Sequence, residues 1–178
     1  AVLQDKIEII NLDLNSTQGE AKFYEVLEKM GCRVDLGENS VKLTSNQPLK
    51  GVDVDMGNMP DVAQTLAAIA SFADGKTTIR NIEHLRYKEC DRVEKTANEL
   101  RKIGGNVSTT KDSITIVPSE LTGGQVETHN DHRMAMSFAL CGLKAENVII
   151  NNPEVSAKSF PIYWEKLQEI GVELEPVE

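Results

Sequence analysis

Four groups of charged residues carry the side chains best suited to chemistry: Asp61; Lys88, Glu89 and Arg92; Asp131, His132 and Arg133; and Lys158. Each falls where the hydrophobic pattern predicts the start of a helix. A helix start presents unsatisfied backbone N–H groups and a partial positive charge, which makes it a natural anion site. Acidic residues complement that charge, so Asp61 after Pro60 also suits a plain first turn. Lys88, Arg92, Arg133 and Lys158 instead add positive charge to a positive end. That costs stability unless an anion compensates. An Arg can hold a phosphate or carboxylate through two parallel hydrogen bonds, while a Lys acts as a mobile point charge or proton donor.

Spacing alone leaves two readings of the central group. On a helix predicted over 88–104, Lys88 and Arg92 are four apart and Glu89 and Arg92 three apart, so all three face one cleft. The same spacing makes an ordinary salt-bridge cluster on a solvated face. Asn130-Asp131-His132-Arg133 reads either as a capped helix start or as an Arg and a His presented to an anion. His129, His132 and Asp131 lack further partners at metal-ligand spacing, so no metal site is expected. Cys90 is either a thiol mildly activated by Lys88 and Arg92 or a small residue facing the core. Gly104-Gly105 and Gly123-Gly124 are isolated pairs, and no glycine-rich phosphate loop is present.

The elements that would position these residues alternate along the chain. Strands are predicted over 6–10, 52–56, 77–82, 126–128, 148–151 and 172–175. Hairpins are predicted for 33–36 with 41–44 and for 106–109 with 114–117. Helices are predicted over 16–31, 60–73, 88–104, 131–143 and 159–171, the first with Ser16 as N-cap and Gly31 just past its end.

Internal repetition organises them. Leu27-Glu28-Lys29-Met30-Gly31 recurs as Leu100-Arg101-Lys102-Ile103-Gly104, and more weakly as Leu167-Gln168-Glu169-Ile170-Gly171. An alignment offset by 70 residues pairs Asp61 with Asp131, Asn81 with Asn151 and Lys88 with Lys158. The expected fold is α/β (α+β type), with repeated units and helices packed inside sheets. The expected organisation is a single domain over 1–178, holding about two and a half repeats at roughly 1–50, 51–124 and 125–178.

Bulk properties narrow the function. The 178 residues carry a net charge of −9, which argues against nucleic acid as a partner, because phosphate backbones are bound by clustered cations. A small anion needs only a few cations in one cleft. Cys32, Cys90 and Cys141 are odd in number and widely spaced, as in reduced proteins. No targeting segment is read at the N-terminus, and no apolar run approaches the length of a membrane span. A cytoplasmic protein without membrane association is expected.

Asp55-Met56-Gly57-Asn58-Met59-Pro60-Asp61, Leu85-Arg86-Tyr87-Lys88-Glu89-Cys90-Asp91-Arg92, Asn130-Asp131-His132-Arg133-Met134-Ala135-Met136 and Lys158-Ser159-Phe160-Pro161 together resemble the 5-enolpyruvylshikimate-3-phosphate synthase family. The resemblance covers nearly the whole chain and is strongest from Gly51 to Leu167. It implies transfer of the enolpyruvyl group of phosphoenolpyruvate to the 5-hydroxyl of shikimate 3-phosphate, with release of phosphate and no cofactor. It also implies two domains, each of three βαβαββ units, of which this chain would be the C-terminal portion. By position, Arg92, Arg133 and Lys158 would hold phosphoenolpyruvate. Asp61, Lys88 and His84 would contact shikimate 3-phosphate. Asp61, Glu89 and Lys158 would be catalytic, moving protons, with Asp131 and His132 in secondary roles.

The sequence departs from the family at three positions. His84 stands where members often have Asn, Cys90 where Ser or Thr is commoner, and Ile162 where Asp is commoner. Two alternatives stand beside this reading: the UDP-N-acetylglucosamine enolpyruvyl transferase family, and a non-catalytic anion-binding or scaffold domain.

Overall fold

A computed structural model describes residues 1–176. Among these described residues nine strands and five α-helices alternate, with short 3₁₀ turns between them. The strands are β1 (Lys6–Ile10), β2 (Arg33–Leu36), β3 (Ser40–Thr44), β4 (Asp53–Asp55), β5 (Thr77–Arg80), β6 (Asn106–Thr109), β7 (Ile114–Val117), β8 (Gly124–Glu127) and β9 (Val148–Asn151). The helices are α1 (Phe23–Lys29), α2 (Ala63–Ala70), α3 (Arg92–Lys102), α4 (His132–Ala139) and α5 (Tyr163–Glu169).

The middle of the chain forms a complete βαβαββ sequence, with sheet order β4-β5-β7-β6. β4 and β5 run parallel across α2, and β5, β7 and β6 are antiparallel. The first stretch makes a smaller sheet ordered β1-β3-β2, the same arrangement as β5-β7-β6 without a β4 equivalent. The last stretch pairs β8 with β9 in parallel, as β4 pairs with β5.

α2 sits at the centre. Its sequence, Ala-Gln-Thr-Leu-Ala-Ala-Ile-Ala, is rich in the strongest helix former, and every residue but Thr65 is buried. Burying Leu66 and Ile69 stabilises the fold by roughly 1.5–3 kcal/mol each. Small residues let α4 approach closely, and the Thr65 and Ser137 hydroxyls hydrogen-bond at 3.0 Å between the two helices. Thr96 of α3 donates to Met134 Sδ of α4 at 3.5 Å. These three helices are packed inside, as expected. α1 and α5 are not: each buries one residue, Val26 and Leu167.

The repeat is visible in how helices end. Gly31, Gly104 and Gly171 follow α1, α3 and α5 with φ of +99°, +96° and +94°. In each case the glycine N–H and the next N–H bond back to carbonyls of the last turn. Each of β1, β5 and β9 is likewise followed by a left-handed asparagine: Asn11, Asn81 and Asn152. Asn81 therefore matches Asn152 in structure rather than Asn151, because the third unit has gained one residue before this point.

Several expected boundaries are corrected. α3 begins at Arg92, not Lys88, because the Asp91 side chain accepts the Glu94 N–H at 2.9 Å and caps the helix there. α5 begins at Tyr163, since Pro161 disfavours helical backbone at Phe160. Ser16 caps no helix; its Oγ accepts from the Gln18 N–H in a local turn. The strand expected over 172–175 is irregular. It follows α5 as β2 follows α1, but no strand among the described residues lies beside it to pair.

Candidate active site

Three cations and three carboxylates meet where α2, α3, α4 and the turn before α5 converge. Arg92 is the hub: it is the first residue of α3, and its side chain is only 2% exposed. Its Nε donates to Asp131 Oδ2 at 2.7 Å and its Nη2 to Asp131 Oδ1 at 3.2 Å. Its Nη1 reaches Asp61 Oδ1 at 3.1 Å and its Nη2 also reaches Glu89 Oε2 at 2.6 Å. Burial opposes the charge of Arg92, but Asp131 first, then Glu89 and Asp61, outweigh it and raise the pKa of the guanidinium.

Asp131 is fully buried and serves two elements. Besides Arg92, it accepts the Arg133 N–H at 2.8 Å as the N-cap of α4. That bond sets the start of α4, so Arg133 leaves the helix toward Asp61. Arg133 Nη2 donates to Asp61 Oδ2 at 2.7 Å and Nη1 to the Asp61 carbonyl at 3.0 Å. Asp61 lies in the 3₁₀ turn Pro60–Val62 that leads into α2, and its own N–H donates to Glu20 Oε1 at 3.2 Å.

Lys158 closes the cluster from the third unit. Its Nζ donates to Glu89 Oε1 at 2.8 Å, so Glu89 bridges Lys158 and Arg92. The Lys158 hydrogen bond is the main reason the Glu89 carboxyl is held down at about 2. Lys158 is the last residue of the 3₁₀ turn Pro153–Lys158, not the start of a helix as expected. Lys88 follows the equivalent turn, Glu83–Tyr87, whereas Lys158 ends its own; in the register that matches Asn81 with Asn152, Lys158 falls opposite Tyr87, and the expected pairing of the two lysines is corrected.

The site residues therefore divide. Asp61, Glu89, Arg92, Asp131, Arg133 and Lys158 are drawn into one network. Lys88 and His84 are exposed and enter no hydrogen bond or ion pair among the described residues. Lys88 does not share a helix turn with Arg92, so the predicted i,i+4 geometry is corrected. His132 is buried, with Nδ1 3.8 Å from Asp131 Oδ1 and no hydrogen-bond partner. Burial lowers its pKa, so it is held neutral near pH 7 rather than offered as a cation. His129 turns away and bonds Glu99 Oε1 at 2.8 Å, so the two histidines do not converge on one ion.

Two other readings change. The Cys90 thiol lies 3.7 Å from Asp131 Oδ2, and burial and then the Asp131 charge push its pKa up to about 12. It is the opposite of an activated thiol. Arg86 is a strut: it reaches Asp91 Oδ2 at 2.8 Å and the carbonyls of Lys111 and Thr110, tying the turn to the β6–β7 hairpin. Sequence reasoning missed the buried Glu99, whose partners are Lys102 on α3 itself, Glu127 on β8 and His129 beyond it. It also passed over Asp91-x-x-Glu94, the cap spacing that marks the true start of α3.

Comparison with known proteins follows the same residues. The family model for EPSP synthase (3-phosphoshikimate 1-carboxyvinyltransferase) matches residues 1–167. A 3-phosphoshikimate 1-carboxyvinyltransferase of Methanoculleus marisnigri is 44% identical over 97% of this chain, which spans 41% of that relative. One from Nostoc punctiforme is 42% identical over 92% of this chain and 38% of its own length. The chain thus spans about two fifths of the curated relatives it matches. An EPSP synthase structure from Acinetobacter baumannii superposes with a TM-score of 0.82 and 26% identity, over 96% of this chain and 42% of that one. The enolpyruvyl transferase NikO from Streptomyces tendae shares the fold at a TM-score of 0.74. A match running through all four charged blocks, on a backbone that superposes along nearly its full length, places this chain in the EPSP synthase family.

Proposed function

We propose that this chain supplies one wall of an active site that transfers the enolpyruvyl group of phosphoenolpyruvate to the 5-hydroxyl of shikimate 3-phosphate. The supporting observation is the ring of Arg92, Arg133 and Lys158 with Asp61, Glu89 and Asp131, assembled from four segments at one end of the inner helices. Arg92, Arg133 and Lys158 hold the phosphate and carboxylate of phosphoenolpyruvate, and Lys88 and His84 reach shikimate 3-phosphate. Asp61 takes the proton of the 5-hydroxyl as it adds to the enol carbon. Glu89 and Lys158 protonate the methylene carbon and assist the departing phosphate, and loss of a methyl proton restores the double bond. The cations stabilise charge on the tetrahedral intermediate. Asp131 fixes the Arg92 plane, and His132 lines the wall as a neutral group.

In this reading residues 1–178 form one domain of about two and a half repeats, and the complementary half-site lies on a second domain of the same enzyme, in the cytoplasm. The test compares phosphate release from phosphoenolpyruvate and shikimate 3-phosphate by this chain alone and by the chain rejoined to the remainder of a family member. Negligible turnover alone and activity on rejoining are expected. In the rejoined protein, Lys158→Ala and Arg133→Ala lower kcat/KM by about a hundredfold or more. Wild-type kinetics in both variants would sink the assignment. No helix among the described residues is long and apolar enough to cross a membrane.

A further inference from the structure

The network contains no spare cation. Arg92 is shared by three carboxylates, Arg133 is held by Asp61 and Lys158 by Glu89. An arriving anion therefore competes with a carboxylate of the protein for each of these charges, although Lys158 spends only one N–H on Glu89. The contacts differ in how readily they yield. Arg92 and Asp131 are sealed from solvent, so parting them would strand buried charge. The Lys158 side chain is 60% exposed and Glu89 25%, and Glu89 is the only acidic partner of Lys158 among the described residues. An ion pair with an exposed member is worth little.

We propose that Glu89 is the resident occupant of the anion seat at Lys158, and that a phosphate group enters by displacing it. This rests on Lys158 being a phosphate ligand, as proposed above. The exchange is open because Glu89 keeps its second partner: after Lys158 turns away, Glu89 Oε2 still accepts from Arg92 Nη2 at 2.6 Å. A phosphate dianion brings more charge to Lys158 than a carboxylate does. Besides Lys158, the charged or titratable groups acting on Glu89 are Arg92, and His132 through space. When Lys158 leaves, Glu89 loses the leading cause of its low pKa. The arrival of phosphate thus frees the Glu89 carboxylate from Lys158 at the place where the proposed reaction uses it.

The experiment titrates this chain with inorganic phosphate at fixed ionic strength and reads the dissociation constant by calorimetry. Glu89→Gln, with no charge to offer Lys158, is expected to tighten phosphate binding about tenfold, as when a competing closed state is removed. Lys158→Ala is expected to weaken binding by a similar factor, and Glu89→Gln to give no gain in that background. In the unsubstituted chain, the carboxyl-carbon resonance of Glu89 should move as phosphate is added. A folded Glu89→Gln variant that binds no tighter, or a Glu89 resonance that stays still while phosphate binds, overturns the exchange and leaves Lys158 as a ligand. Unchanged affinity in Lys158→Ala overturns both the exchange and the placement of phosphate at Lys158.

Discussion

α3 buries a charged side chain near each end, and the two are handled differently. Arg92 stands at the first position, where its charge opposes the helix dipole, and Glu99 stands in the last turn, where its charge also opposes it. Glu99 is satisfied by donors that serve the fold: Lys102 Nζ at 2.8 Å, His129 Nε2 at 2.8 Å and the Glu127 N–H at 3.0 Å. Burial works against its charge, but those donors outweigh it and lower its pKa. They pin α3 to β8 and its following loop. Arg92 is satisfied by carboxylates that are themselves shared with Arg133 and Lys158, two cations that reach solvent. One end is a closed set of donors and acceptors; the other reaches solvent through Arg133 and Lys158, where the proposed exchange at Lys158 takes place. Exchangeable partners are what a ligand site requires.

Breaking each end should show this difference. Arg92→Ala leaves Asp131 fully buried without its cation and should cost about 3–5 kcal/mol in urea unfolding. Glu99→Ala strands one backbone N–H while Lys102 returns to water, and should cost less, about 1–3 kcal/mol. If Glu99→Ala costs more than Arg92→Ala, the comparison fails. At the glycine that ends α3, Gly104→Ala forces φ near +96° and puts a Cβ 3.0 Å from the Glu120 carbonyl. It should cost about 2 kcal/mol, against about 1 kcal/mol for Gly171→Ala, which meets nothing within 4 Å among the described residues. Equal thermal shifts in the two variants would remove the crowding argument.

The acid limb of stability separates the ends more finely. Glu89 titrates near 2 in the folded chain against about 4.5 unfolded, so its contribution is complete above 4.5 and is lost as pH falls toward 2. Glu89→Gln should flatten the stability curve in that window. The smallest effect is at Cys90: its thiol is protonated across the physiological range, so it should react slowly with iodoacetamide in the unsubstituted chain, and Cys90→Ser should leave stability nearly unaltered.

Much of the fold was legible. The alternating run Lys6–Ile10 and both hairpins follow from period-two patterning and turn residues, Val148–Asn151 from its consecutive β-branched residues, and the glycines closing α1, α3 and α5 from the repeat. Helix starts were read too early because charged residues at i, i+3 and i+4 imitate a helix face. The true starts were decided by the Asp91 cap and by Pro161. The buried role of Glu99 left no local signal, since Lys102 three residues on would accompany a surface glutamate equally well.

The residues of the candidate site, their charge and their family pattern were legible in the sequence alone, because these are properties of side-chain type and order. Which cations are free was decided only by tertiary structure. Arg92 meets partners 31 and 39 positions away, and Glu89 meets Lys158 across 69. Those distances along the chain close only when α2, α3 and α4 pack on one another. Coulomb attraction acts over a few ångströms in space, and order along the chain does not specify that proximity.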